Sequence, residues 1–169
     1  MKRGKNLVTQ MSDLRDMFAD ESLRMSIIRR QVRMEVDVPT IRVSTRQSNR
    51  VVWFAGAQFE LPYSPIPLCT RELYSRIFVT GVRVGSPADT YRLRLHHFVT
   101  QVQGVSTVNF DDFTKEIKKL PDGQFCRFTL VDLQGSSETV SLMTNRRDFK
   151  ALDARQKEGS SYGWHLQAL

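Results

Sequence analysis

The residues of this chain that could perform acid–base or nucleophilic chemistry are few. Its histidines are His96, His97 and His165. A serine hydrolase needs a histidine base, an orienting acid and a serine held on a strained turn. No Gly-x-Ser-x-Gly sequence occurs, and Ser86 of "GSPA" stands directly before Pro87, which is typical of the first turn of a helix. The sequence therefore predicts no catalytic residue in this chain.

Metal and disulfide chemistry are not indicated either. His96 and His97 are adjacent in a predicted strand, so their side chains point to opposite faces and cannot easily chelate one ion. No cluster of cysteine or carboxylate residues surrounds them. The two cysteines, Cys69 and Cys126, lie in separate segments. We therefore predict no metal, no cofactor and no disulfide framework, and a reducing compartment.

The chain is basic, and the excess charge is uneven. Its 169 residues carry a net charge of +7, and residues 1–50 hold 11 Lys/Arg against 6 Asp/Glu. Arg29, Arg30 and Arg33 gather around a hairpin-like position. This pattern is typical of a solvated face. The alternative is a docking surface for nucleic acid or an acidic partner.

No segment is typical of a membrane span or a secretory signal. The apolar stretch "VVWFAGA" at 51–57 is far shorter than the roughly 20 residues of a spanning helix. The basic N-terminus lacks the apolar core and cleavage site of a secretory signal. We predict an intracellular protein without a membrane partner, and a mitochondrial address stays open.

One pattern occurs twice in the chain. Residues 7–18 and 106–117 align without gaps and share the i, i+3, i+7 apolar spacing of one helical face. Each is followed by two strands of alternating polarity. In the second copy, Asn109 can cap the helix, and Leu120–Gly123 forms a turn that ends it. The repeated unit is therefore helix, strand, turn, strand.

The first copy is too small to be stable alone. About 40 residues bury too little apolar surface to offset a backbone ordering cost of roughly 1–2 kcal/mol per residue. The second copy has an additional segment before its helix, starting near Val51. We therefore interpret residues 1–38 as half a domain, 39–50 as a linker and 51–147 as a complete domain.

The order of these elements resembles the PDZ-like domains of HtrA/DegP-type serine proteases. The motifs are "VTGVRVGSPADTYRL", "VTQVQGVSTVNFDDFTKEI" and "LPDGQFCRFTLVD". "GAQFELPYS" resembles the opening strand of these domains in large fungal and plant proteases, which are often nuclear. "SDLRDMFADESLRMSIIRRQVRMEVDVPT" resembles the end of the preceding PDZ domain. The resemblance runs from about Gly4 to Trp164 and implies a protease region without its protease domain.

The resemblance implies an α+β fold, a PDZ-like, partly open barrel or sandwich with two helices, preceded by a half unit of helix plus β-hairpin. It also implies a peptide groove between one edge strand and the 109–120 helix. Phe113 is expected in the core, and Arg76 could attract a carboxylate. The predicted groove residues are Arg76, Ile77, Phe78, Val79, Phe110, Thr114 and Ile117.

Two departures from the family pattern leave an alternative open. The loop before the predicted binding strand reads "ELYSRIFV", without the usual glycine, and the short helix runs into "YRLRLHHF" rather than Gly-Leu and Gly-Asp. The groove could therefore be occupied by the protein itself. The tail, residues 148–169, shows no clear period and carries the apolar anchors Phe149, Leu152 and Trp164. It is a candidate for the occupant.

The predicted function is a peptide- or protein-interaction module of an HtrA-like protease or of a non-catalytic descendant. Its partners would be a peptide, its own tail, another subunit or a second copy of the chain. The alternative is a structural subunit of a large, RNA-containing assembly that docks through Arg29, Arg30 and Arg33. The resemblance suggests a nuclear location.

Overall fold

The computed structural model describes residues 22–39, 48–63, 66, 70, 72–157 and 163–169. Two compact units divide the chain, Met1–Ser44 and Thr45–Leu169. Their boundary falls inside the segment that the sequence predicts as a linker. The predicted helix at 7–18 and most of this linker lie outside the described residues.

The described part of the first unit is a β-hairpin. β1 (Ser22–Arg29) pairs antiparallel with β2 (Val32–Pro39) over their full length. The turn residues Arg30 and Gln31 have φ values of 52° and 65°. Two successive left-handed residues are what a tight two-residue hairpin turn requires, so the chain reverses there without glycine.

The second unit is mostly an antiparallel sheet with two described helices, so the predicted α+β class is confirmed. Its strands are β3 (Arg50–Phe54), β4 (Ala57–Glu60), β5 (Phe78–Val82), β6 (Phe98–Val102), β7 (Val105–Ser106), β8 (Phe125–Val131), β9 (Ser137–Met143), β10 (Leu152–Gln156) and β11 (Trp164–Ala168). Within the described residues, the sheet order is β11-β10-β3-β4-β5-β6-β8-β9, and β7 pairs with β6. The sheet is open, with β11 and β9 at its edges.

The core of this unit is rich in aromatic rings. Phe113 packs against Phe59 with ring centroids 4.9 Å apart and against Phe128 at 6.4 Å. Phe54 lies 6.0 Å from Phe128. All four side chains are buried. Tilted and edge-on ring contacts of this kind add about 0.5–1.5 kcal/mol beyond the burial of apolar area.

The first described helix, α1 (Pro87–Thr90), begins at the Gly-Ser-Pro corner. The Ser86 hydroxyl accepts a hydrogen bond from the Asp89 N–H, and Pro87 occupies the first turn, as the sequence predicts. The helix ends at Thr90. Arg92 has a φ of 59°, which a helix cannot continue through.

The second described helix, α2 (Phe110–Lys119), confirms the sequence prediction at both ends. The Asn109 side chain accepts hydrogen bonds from the N–H groups of Asp111 and Asp112, at 2.9 and 3.0 Å. Such a cap satisfies backbone donors that the helix itself leaves unpaired. The inward face of α2 is fixed against the sheet by Phe110, Phe113, Thr114 and Ile117.

The C-terminal segment differs from the predicted irregular tail. β10 pairs with β3 on one side and with β11 on the other, so the segment extends the sheet by two strands. Burial does not alternate along these short strands, since Asp153 and Ala154 of β10 are both buried and all of β11 is exposed, so they carry no period of two to recognise from sequence. Leu152 and Trp164 therefore belong to strands rather than to an extended tail.

Cys126 is expected to be chemically inert in the folded protein. Burial raises the pKa of its thiol to about 12, and its Sγ donates to the Leu142 carbonyl at 3.4 Å. At about pH 8 only about one thiol in ten thousand would be ionised. In a Cys69→Ser variant, an aromatic disulfide reagent should react at the unfolding rate in native buffer and at once in denaturant.

The same burial has a consequence for stability at high pH. The raised pKa of the native thiol means that only the unfolded chain ionises between its ordinary pKa of about 8.5 and about 12. Stability should therefore fall across this range, and a Cys126→Ala variant should show a smaller fall. Fast modification of native Cys69→Ser protein would contradict the buried placement.

Candidate functional site

The site begins with a tight hairpin. β3 pairs antiparallel with β4 from Val51↔Glu60 to Phe54↔Ala57. The two turn residues, Ala55 and Gly56, have φ values of 51° and 84°. β4 pairs with β5 on its other side, so both of its edges carry ladder hydrogen bonds.

The side chains of β3 alternate between two faces. Val52 and Phe54 are buried in the same core cluster as Phe110, Phe113 and Ile117 of α2. The alternate residues Val51 and Trp53 are only half-buried. β3 therefore presents two apolar side chains to the space between the sheet and α2.

A cluster of charges fixes the start of β3. The Arg50 guanidinium donates to Asp153 on β10 through Nε at 3.0 Å and Nη2 at 2.9 Å. Its Nη1 donates to Asp111 in the first turn of α2 at 2.7 Å, and its Cζ lies 5.3 Å from the Phe110 ring centre. We call Arg50, Asp111 and Asp153 the β3 clamp. It connects β3 to both a neighbouring strand and the helix.

The two carboxylates of the β3 clamp lie in different environments. The Asp153 side chain is 2% exposed, whereas that of Asp111 is 78% exposed. Hydrogen bonding and the charge of Arg50 lower the pKa of Asp111. Burial lowers the pKa of Arg50, but its hydrogen bonds to Asp153 and Asp111 outweigh this effect and raise it. Arg50 and Asp111 are therefore ionised at neutral pH.

A further arginine, which the sequence did not single out, supports the far end of α2. Arg146 Nη2 donates to the Ile117 carbonyl at 2.6 Å, and its Nη1 donates to the Leu169 carbonyl at 3.2 Å. A cation at the end of a helix interacts favourably with the unpaired carbonyl groups there. Arg146 thus connects α2 to the C-terminal segment.

The structure brings most of the predicted groove residues together, but as core rather than as a cleft. Ile77, Val79, Phe110 and Ile117 share one buried cluster, in which Thr114 of α2 is also covered. Phe78 belongs to a second cluster with Ile66, Phe98 and Val131. The exposed Arg76 contacts the Val108 carbonyl through its backbone N–H.

The strand predicted to bind a ligand lies inside the sheet. A ligand can add only to a strand with a free edge, and β5 pairs with β4 on one side and β6 on the other. The Val79 N–H also bonds to the His97 carbonyl. Any ligand contact by residues 76–79 stays a prediction, and an Asp substitution at Ile77 or Phe110 would report loss of folding rather than of binding.

The candidate basic surface lies at one end of the hairpin in the first unit. Arg29, Arg30 and Arg33 are exposed, and the Arg33 Nε donates to the Ser26 hydroxyl at 2.8 Å. Arg24 of β1 forms an ion pair at 2.9 Å with Asp37, which lies directly opposite on β2. Whether these arginines contact nucleic acid stays a prediction.

The histidines do not converge. His96 and His165 are exposed, and His97 lies 3.6 Å from Glu138 and contacts the Leu95 carbonyl through Nδ1. Within the described ranges, no group of three or more His, Cys, Asp or Glu side chains could hold a metal ion. No helix in the same ranges is long and apolar enough to cross a membrane.

Comparison with known proteins identifies the relatives of the chain. No protein-family model matches it. A protein of Scheffersomyces stipitis named pro-apoptotic serine protease NMA111 is 30% identical over 91% of the chain. The corresponding Aspergillus clavatus protease is 30% identical over 94% of the chain. The chain is homologous to a segment of the Nma111 serine proteases.

The resemblance predicted from the sequence is thereby confirmed. A PDZ domain-containing protein of Schizosaccharomyces pombe is also similar, with 33% identity over 89% of the chain. The chain spans only about 15–16% of the length of these relatives. It thus matches one segment of proteins that are several times longer.

Proposed function

We propose that the chain is a PDZ-like protein-interaction module whose ligand cleft is occupied by its own strand β3. The whole protein to which it belongs would be an HtrA-like serine protease or a non-catalytic descendant, and this segment would contribute no catalytic residue. Its relatives, named as a serine protease and as a PDZ domain-containing protein, support the family part of this proposal.

The observation that carries the proposal is the position of β3. In a PDZ-like domain the ligand adds an antiparallel strand to the sheet, with alternate side chains directed into apolar pockets beside a helix. β3 has this arrangement within one chain. It pairs antiparallel with β4, buries Val52 and Phe54, and reaches the first turn of α2 through Arg50.

This position of β3 also indicates which elements would form the cleft. The strand beside an added ligand would be β4 rather than the predicted residues 76–79, and the helix would be α2. The occupied-groove alternative is therefore favoured, with the segment before β4, rather than the C-terminal segment, as the occupant. The module would then act chiefly in holding segments of the protease together.

A peptide copy of β3 provides the test. The peptide Asn-Arg-Val-Val-Trp-Phe reproduces residues 49–54 and should bind the unaltered protein very weakly, because the cleft is occupied. A Val52→Ala variant loses buried methyl groups of β3 and should bind the peptide at least about tenfold more tightly. Isothermal titration on protein shown to be folded by circular dichroism measures this difference.

Val51→Ala is the matched control. Val51 is adjacent in β3 but lies on the face away from the core, so its truncation should leave peptide affinity unchanged. Equal binding by the unaltered protein and the Val52→Ala variant would contradict an occupied cleft. Absence of binding by folded Val52→Ala protein would favour a purely structural role for β3.

A further inference from the structure

The face of the sheet that points away from the core contains a pocket of about 710 Å³. Its apolar walls come from β3, β5, β10, β11 and the loop before β10. Trp53 and Leu152 lie directly opposite each other in the β3–β10 register. Val82, Phe149 and Leu166 complete the apolar lining. This volume is in the range of small-ligand sites, which are about 300–1,000 Å³.

Two features keep this outer-face pocket open and shaped. The Trp53 Nε1 donates to the Gln58 side-chain oxygen at 3.0 Å, which fixes the indole ring in one orientation. Gly81 lies opposite Gln58 in the β4–β5 ladder, and a side chain there would meet the Gln58 Cβ at 3.3 Å. The absence of a side chain at Gly81 therefore leaves room beside the ring.

Of the charged side chains at the pocket, Asp148 has a hydrogen-bond partner, whereas Arg83 and Lys150 have no carboxylate partner among the described residues. Asp148 already accepts a hydrogen bond from the Asn145 side chain at 2.9 Å. Among the described residues, Arg83 and Lys150 form no ion pair, and the Arg83 guanidinium lies 5.7 Å from the centre of the Phe149 ring. A carboxylate bound there would meet two cations that the protein leaves unmatched.

We propose that the outer-face pocket binds a peptide segment of another protein that carries a large apolar side chain next to acidic residues. The apolar side chain would pack against Trp53 and Leu152, and the carboxylates would pair with Arg83 and Lys150. This site goes beyond the proposed function, because it lies on the opposite face of β3 from α2 and needs no C-terminal carboxylate.

The test uses a peptide amidated at its C-terminus and blocked at its N-terminal amine, by fluorescein in the labelled probe and by acetyl in the unlabelled one, so that neither terminus carries an ammonium or carboxylate charge. The fluorescein-labelled probe Glu-Asp-Phe-Asp-Leu-Glu should bind in fluorescence anisotropy, and a version with every acidic residue replaced by lysine should not. In a Trp164→Phe variant, the remaining indole of Trp53 should change its emission as the unlabelled probe is added. This second signal places the probe in the pocket.

Charge reversal identifies the cations. Arg83→Glu/Lys150→Glu protein should bind the acidic probe at least about tenfold more weakly, a loss of about 1.4 kcal/mol, and should gain affinity for the lysine version. Lys115→Glu/Arg127→Glu changes the net charge equally at exposed positions of α2 and β8, and should behave like the unaltered protein.

Three results would overturn the proposal: no binding up to about 1 mM probe, equal weakening by both charge-reversal variants, or probe binding without a Trp53 signal. Self-association that is abolished by Leu166→Lys would instead assign the pocket to a second copy of the chain. The acidic probe reports on the outer-face pocket, whereas the peptide copy of β3 reports on the cleft. Because the two tests use different probes, failure of this proposal is separable from failure of the occupied cleft.

Discussion

Replacing Asp153 by alanine should lower the free energy of unfolding by about 3 kcal/mol. Asp153 is buried, and its two oxygens accept both hydrogen bonds that hold Arg50 against β10. Removal of one partner of a buried ion pair typically costs about 3–5 kcal/mol, because a charge is left without compensation. The lower end applies here, since Arg50 keeps Asp111. Urea unfolding followed by circular dichroism measures the loss.

Asp111→Ala is the natural control for the β3 clamp. Its carboxylate contacts the same guanidinium but is mostly exposed, so its removal should cost no more than about 1 kcal/mol. A double substitution, Arg50→Met/Asp153→Leu, should recover most of the stability that Asp153→Ala loses, because no charge stays buried. Equal losses for Asp153→Ala and Asp111→Ala would show that burial does not determine the strength of the clamp.

The second large effect is expected at Gly56 in the β3–β4 turn. An added Cβ would lie 2.1 Å from the Ser86 Cβ, and Ser86 is itself completely buried as the cap of α1. The residue also has a φ of 84°. A left-handed backbone costs about 1–2 kcal/mol for a residue with a side chain, and overpacking costs about 1–3 kcal/mol. Gly56→Ala should therefore destabilise the protein by about 2–5 kcal/mol.

Gly85→Ala separates the cost of the left-handed backbone from the cost of overpacking. Gly85 has a similar φ of 76°, but an added Cβ would meet no atom within 4 Å. Its substitution should cost only the backbone part, about 1–2 kcal/mol. Thermal unfolding of both variants gives the comparison. If the two substitutions prove equally costly, the close approach of the turn to Ser86 is not maintained in solution.

The elements of the second unit could largely be predicted from local sequence signals. Asn109, followed by acidic residues, marks the start of α2, and Ser86-Pro87 marks the start of α1. These signals act through hydrogen bonds and steric limits within a few residues, so they need no knowledge of the fold. The strands β8 and β9 could also be predicted locally, because polar and apolar residues alternate along most of their length.

The interior position of residues 76–79 in the sheet results from long-range pairing. The composition of Ile77, Phe78 and Val79 indicates a strand, but only strand order decides whether a strand lies at an edge or inside a sheet. β4 and β6 come from segments about 20 residues away on either side. An apolar run without alternation is in fact typical of a strand buried on both faces, and this signal pointed to the interior.

Local sequence patterns indicate the β3–β4 hairpin but not the β3 clamp. "VVWFAGAQFE" contains two strand-like runs separated by two small residues, which is a hairpin signal. The resemblance assigns an opening strand only to "GAQFELPYS". The pairing of Arg50 with Asp153 joins residues 103 positions apart, and neither residue type nor spacing indicates it. Such contacts follow from the fold and cannot be obtained from local pattern.

In the proposed occupied cleft, the two-residue turn between β3 and β4 would determine how ligand access is regulated. Because the turn tethers β3 to β4, β3 would rebind as an intramolecular competitor at an effective concentration of millimolar or higher. A free ligand of ordinary micromolar affinity would gain access only in proportion to the brief openings of the strand. Access to the cleft would therefore be controlled more strongly by a force or a partner protein that acts on the chain at Arg50 than by the concentration of ligand.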